Sequence, residues 1–377
     1  MICNRLCIIC LVSIWACGGE IENDFYPQAY SIEIVDSIKI TEKNGFLSKP
    51  SNSTLINDSL IGVESFQSKG VWILNRKTGE EISSVISNQE KGIQFRPTKV
   101  FWKDFPLIYV LDGMTKKIHL FNLDSGISEG QKHISSISLL TPDHLAIKPL
   151  MANLFYKISN RFYIEQFTNL VSLSSNDFYK LTDKLVGVYE SDGGYIESFI
   201  DYPIELKNLE KFIAPGVIYS SGIDDNNNIY LTFPFKQKIE VFSEFPNQKK
   251  IKTIPLPKSN YFTFQIPFLN QEISNDPNVR RNEPVPHYFG DIIVKKEKVL
   301  VQTFMKPHLN PSEFPLTTSI LKYNEDKLEW IETTPKSFSD LGFLAGIVGD
   351  SLFFVEAGLL NSEEKYIKHA VLKPIED

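Results

Sequence analysis

A short strand-and-turn unit recurs along this chain and constrains its fold more than any other feature. Ile118-His119-Leu120-Phe121 is followed by Asn122-Leu123-Asp124-Ser125-Gly126. This stretch aligns without gaps with residues 71–79 and 186–194, and shorter matches start at Ile239 and Ile320. Each unit alternates apolar residues and then enters a polar turn, the pattern of a β-strand. Two units also match further back. Ile108-Tyr109-Val110-Leu111 with Lys117-Ile118 aligns with Ile229-Tyr230-Leu231-Thr232 with Lys238-Ile239, at a constant offset of 121 residues. The repeated object is therefore a hairpin.

The units start at residues 71, 118, 186, 239 and 320, and a weaker sixth covers 351–355 and 366–372. A period near 45 to 50 residues, lengthened by insertions, suits a four-stranded blade. Successive apolar residues such as those at 108–111 give a strand two apolar faces, as in a sheet covered on both sides. The expected fold is all-β: a six-bladed β-propeller of four-stranded antiparallel blades, one domain over residues 30–377. The strand expected at 30–41 has no unit of its own. It would close the last blade from the opposite terminus and remove a free edge. Stacked sandwiches or a parallel β-helix fit less well, because neither calls for a repeat of this length.

All four cysteines, Cys3, Cys7, Cys10 and Cys17, precede this region. Arg5 is followed by an apolar run from Leu6 to Trp15, and a small residue, Ala16, precedes Cys17. That is the layout of a secretory leader, and the run is too short for a permanent membrane span. The stretch Ile14-Trp15-Ala16-Cys17 resembles a bacterial lipobox. The resemblance implies cleavage of residues 1–16 and lipidation of Cys17, with 17–29 as a flexible acidic tether. Two or more acyl chains hold a protein firmly to a membrane. Acidic residues after the cysteine also resemble a Bacteroidetes-type surface-export signal. The expected address is the bacterial outer membrane, at the cell surface or the periplasmic face. Without its leader the chain has one cysteine and no internal disulfide.

The formal charge of −7 over 377 residues, and −8 once Arg5 leaves with the leader, disfavours nucleic acid as a partner. The chain carries 27 Phe and 15 Tyr but only 4 Met, which favours strands. The lipobox and six degenerate blades together resemble the six-bladed propeller lipoproteins of Bacteroidetes-type bacteria. Among these the chain looks most like the group called domain of unknown function 4221. The hairpin from Asp225 to Phe242 also resembles an NHL-type blade. The resemblance implies a fold and an address, but no catalytic residue and no cofactor.

Candidate sites are few. Asp224-Asp225-Asn226-Asn227-Asn228 offers oxygen ligands for calcium but lacks the glycine and distal glutamate of an EF-hand loop, so a tight turn is the simpler reading. The six histidines show no zinc spacing, and no metal is expected. No nucleophile elbow or phosphate loop is present. The insertion at 255–291 offers Phe262, Arg280, Arg281, His287 and Tyr288 as a recognition surface for carboxylates or acidic sugars. A long loop packing its own aromatics over the blade, with the arginines in solvent, is the simpler reading. Asp-Ser-apolar triplets at Ser37, Ser59 and Ser351 match an O-glycosylation pattern of such bacteria, and turn serines account for them as well. The leading expectation is a membrane-anchored, non-catalytic module for a protein or glycan ligand. A glycan- or peptide-acting lyase or hydrolase and an accessory subunit of an outer-membrane complex are the alternatives. A deep axial pocket with converging carboxylates would speak for the enzyme, and a flat aromatic face for protein contact.

Overall fold

A computed structural model describes residues 25–88, 93–124, 126–128, 131–149, 152–171, 175, 177–182, 184–208, 219–244, 247, 249–264, 287–305, 316–356 and 364–375. The leader, Cys17, Arg280 and Arg281 lie outside the described residues. Strand β1 (Gln28–Lys39) comes first. One sheet follows from β2 (Asn52–Leu55), β3 (Leu60–Ser65), β4 (Gly70–Asn75) and β5 (Glu81–Ile86). The next contains β6 (Lys99–Phe101), β7 (Leu107–Asp112), β8 (Lys117–Asn122) and β9 (His133–Ser138). A five-stranded sheet holds β10 (Leu145–Ile147), β11 (Phe155–Ile158), β12 (Arg161–Thr168), β13 (Lys184–Glu190) and β14 (Tyr195–Asp201). A further four-stranded sheet holds β15 (Ser220–Ile223), β16 (Ile229–Thr232), β17 (Lys238–Phe242) and β18 (Lys250–Pro255).

The remaining strands form one nine-stranded sheet. They are β19 (Tyr288–Lys295), β20 (Lys298–Met305), β21 (Thr317–Asn324), β22 (Glu329–Thr333), β23 (Lys336–Ser337), β24 (Phe343–Val348), β25 (Ser351–Val355) and β26 (Tyr366–Pro374), with β1 among them. This sheet consists of two antiparallel four-strand runs, β19 to β22 and β24-β25-β26-β1. They meet where β1 lies parallel to β22 at Gln28 to Tyr30. The N-terminal strand pairs antiparallel with β26 from Tyr30 to Lys39, as expected. Its parallel contact with β22 was not expected, and it joins two runs that the repeat treats as separate. Together the sheets form a propeller-like arrangement.

The repeat units map onto β4, β8, β13, β17 and β21, each third in its run. Their two apolar faces have separate destinations. Val71 and Ile73 of β4 pack with Ile108 and Val110 of the next sheet. Trp72 and Leu74 face the other way, onto Phe353, Val355 and Ile367 of the last run. The core therefore lies between sheets, and each fully buried aliphatic or aromatic side chain adds about 1.5–3 kcal/mol. The first strands are the innermost: β2 packs beside β24, β6 beside β11 and β15 beside β19. Gly222 shows how close they come. A Cβ there would clash with the Ile292 carbonyl of β19.

Candidate functional site: an axial chamber

The ring of first strands encloses two cavities along the axis. One, of about 200 Å³, lies where these strands begin and is bordered by Asn52, Lys99, Asn153, Ser220, Asp291 and Leu344 among others. The second, of about 250 Å³, lies toward their ends, near Trp102, Tyr156, Ser221 and Ile347. Lys99, Asp291 and Leu344 border both. We refer to these cavities as the entry and exit chambers.

The pair between them is an ion pair. Lys99 Nζ, at the start of β6, donates to Asp291 Oδ2 in β19. Asn52 Nδ2, at the start of β2, donates to the same oxygen at 2.8 Å. Three inner strands thus converge on one carboxylate oxygen. The Asp291 side chain keeps 35% of its surface exposed and Lys99 only 11%, so the carboxylate is the half that solvent reaches. Burial pulls the Lys99 ammonium down in pKa, but Asp291 and Glu64 outweigh it and the net shift is upward.

Glu64 is the second acid of the entry chamber. It sits near the end of β3 and is 3% exposed. Its Oε1 accepts a hydrogen bond from the Trp102 indole at 3.3 Å. Burial raises its pKa to about 7; Lys99 lowers it and Asp291 raises it. The opposite wall is aromatic. Tyr288 stacks on Phe304 at 4.8 Å between ring centres, and Phe338 and Phe343 meet edge to face at 4.9 Å. Burial holds the Tyr288 hydroxyl up to about 12. In the exit chamber, the Tyr156 hydroxyl and Ser221 Oγ lie 2.7 Å apart, and Ser221 donates to the Asn153 carbonyl at 2.5 Å.

The sequence-derived candidates are distributed unevenly. Tyr288 faces the entry chamber. Phe262 is 3% exposed and stacks on Phe289 at 4.6 Å, in a core cluster with Ile292 and Val301. It serves packing, which is the loop reading of that insertion. His287 accepts from the Thr263 N–H at 2.8 Å beside Phe262. The 224–228 stretch is a turn: Asn228 donates to both carboxylate oxygens of Asp224, and Asn227 has φ +65°. The oxygens that calcium would use, Asp224 O, Asp225 O and Asn227 Oδ1, receive the Lys103 ammonium. Among the described residues, no group of three or more His, Cys, Asp or Glu could hold a metal ion.

The acids of the chamber escaped sequence reasoning because they share no local motif. A signal existed in the repeat. The residues paired opposite the unit starts Val71, Ile118, Val186, Ile239 and Ile320 are Glu64, Leu111, Glu165, Thr232 and Gln302. Four of the five are polar, and those four are buried.

No protein-family model matches the sequence, and no curated protein matches it. Among the described residues no helix is long and apolar enough to cross a membrane. Similarity appears at the level of solved structures. One is a named exported protein of inferred status from Bacteroides fragilis, with a TM-score of 0.52 and 10% identity over 92% of this chain and 96% of that one. Another is a member of the DUF4221 family from Bacteroides vulgatus, with a TM-score of 0.64 and 14% identity over 92% of this chain and 99% of that one. In fold, the chain resembles the DUF4221 family along nearly its whole described length.

Proposed function

We propose that this chain is a propeller lipoprotein of the bacterial cell envelope that binds a small polar ligand in its entry chamber. The reading counts six blades, taking the nine-stranded sheet as two blades fused through β1. The observation that carries the binding reading is the two-sided lining, with Asn52, Glu64, Lys99 and Asp291 on one side and an aromatic wall on the other. Such a site grips an apolar surface while a few fixed polar groups orient the ligand. Leader layout, the lipobox at Cys17 and fold likeness to a protein named as exported support the address.

Thermal melting against a panel of small polar metabolites tests the chamber. At least one should raise the melting temperature of the wild type, and Tyr288→Ala should abolish that rise. A ligand that protects both proteins equally binds elsewhere. For the anchor, Cys17→Ala should move the protein from the membrane fraction to the soluble one. Retention in the membrane fraction would overturn the lipoprotein reading.

Two carboxylates in one axial chamber favour a second reading, acid–base catalysis on a glycan or peptide. Glu64, held near neutral pH, has the poise of a general acid or base. Binding takes precedence because Lys99 and Asn52 both engage Asp291, so the two carboxylates do not form a free pair. A ligand recovered unchanged after prolonged incubation with the protein rules out turnover of that ligand.

A further inference from the structure

The entry chamber has already used most of its polar groups on itself. Ser51 Oγ donates to the Glu64 carbonyl at 3.1 Å and accepts from the Phe66 N–H. Thr98 Oγ1 donates to the Pro149 carbonyl and accepts from the Gly113 N–H. Ser220 Oγ donates to the Phe289 carbonyl at 2.9 Å. Gln302 is engaged at both ends, by the Gly342 carbonyl and the Leu344 N–H. Asn52 accepts from the Ser53 N–H while donating to Asp291.

What remains is mostly acceptor. Both donors to Asp291 go to Oδ2, so among the described residues Oδ1 has no hydrogen bond. Glu64 takes the indole N–H on Oε1, and the Val100 backbone N–H also reaches this carboxylate. The lining has two carboxylates and one ammonium, with no other formal charge among its described residues. One donor is also left over. Asn153 Nδ2 is buried, borders the chamber and has no partner. An unpartnered buried amide costs about 1–3 kcal/mol until something accepts from it.

We propose that the entry chamber takes a small organic ammonium with a neighbouring hydroxyl: the ammonium donates to Asp291 and Glu64, and the hydroxyl accepts from Asn153. The proposal rests on the chamber reading above. The aromatic wall suits the same ligand, since ring faces attract cations where water is excluded. A neutral polyol would match the aromatic wall but would leave the carboxylate oxygens without a charged donor.

Ligand charge and pH should therefore be linked. The groups that act on Glu64 are Lys99, the Val100 N–H and the Trp102 indole from the β6 segment, and Asp291 from β19. β20 and β24 contribute only uncharged side chains to the lining. A carboxyl poised at about 7 is mostly protonated at pH 6 and mostly ionised at pH 8. A cation should therefore bind more tightly at the higher pH.

Isothermal titration of the full chain with 1-amino-1-deoxysorbitol and with sorbitol separates the possibilities. The two probes differ by one ammonium in place of one hydroxyl, and the amine stays protonated in this range. At pH 8 the amine should bind at least tenfold more tightly than sorbitol, and about fivefold more weakly at pH 6. Glu64→Gln should remove most of that pH dependence. Asp291→Asn should reduce the tenfold preference by itself, so the result does not hang on one variant. Equal binding of both probes would overturn the ammonium proposal and leave the chamber reading standing. Binding of neither, by a protein with a cooperative melt, would overturn both.

Discussion

Glu64 and Glu165 occupy the same repeat position, yet only one is left to act. Glu165 Oε2 accepts the Asn153 N–H at 2.6 Å and Oε1 pairs with Lys148 at 3.2 Å. It anchors the entry to β11 and is used up in doing so. Glu64 meets an indole instead, and the nearby ammonium belongs to Asp291. A buried carboxyl so placed resists ionisation, so its folded pKa of about 7 stands above the ordinary 4.5. Its contribution to stability is full below pH 4.5 and is lost as pH rises through 7. At about 1.4 kcal/mol per unit the loss is about 3 kcal/mol. Glu64→Gln keeps the shape without the charge. It should match the wild type near pH 4.5 and exceed it by up to about 3 kcal/mol at pH 8, read from urea midpoints. Parallel loss of stability in both proteins between these pH values would show that another group is responsible.

At the scale of elements, legibility followed periodicity. The third strands β4, β8, β13, β17 and β21 were legible because each is sandwiched, and sandwiching imposes apolar residues on both faces. The hairpin match of 108–118 with 229–239 is the β7–β8 and β16–β17 pairing, in the same register in both sheets. First strands were not legible. β2, β6 and β15 are only four, three and four residues long, too short to show a period. Their residues face the axis, where small side chains let backbones approach, as Gly222 does against Ile292. That is also why the site was missed. Lys99 and Asp291 are contributed by different strands, and only closure of the ring brings them together. The insertion at 255–291 showed its aromatics plainly, but composition does not distinguish Phe262 in a core from Tyr288 at a chamber. Register does: Tyr288 pairs with Phe304 while Phe262 stacks on Phe289.

At the scale of the molecule, the decisive element is β1, because it joins both ends of the chain. It pairs with β26 along nearly its whole length and touches β22 on the other side. Only Ile32 of its twelve residues is buried, so its contribution is less core than closure. Without it, β26 and β22 would each present an open edge, and open edges recruit other chains. Burial of Ile32 is worth about 1.5–3 kcal/mol. Each of several ladder hydrogen bonds adds a net of about 0.5–1.5 kcal/mol. Set against a typical total of 5–15 kcal/mol, that is a large share. A chain starting at residue 40 should therefore melt well below the full-length protein and elute as a self-associated species in size-exclusion chromatography. A synthetic peptide of residues 28–39, added in trans, should restore the monomer and recover part of the melting temperature. The same peptide with Ile32→Lys should fail, because its one buried contact, among Leu300, Ile320 and Leu352, would then carry a charge. A truncated chain that stays monomeric and melts like the intact protein would show that closure is supplied elsewhere, and that β1 serves only as the path from the N-terminal segment to the domain.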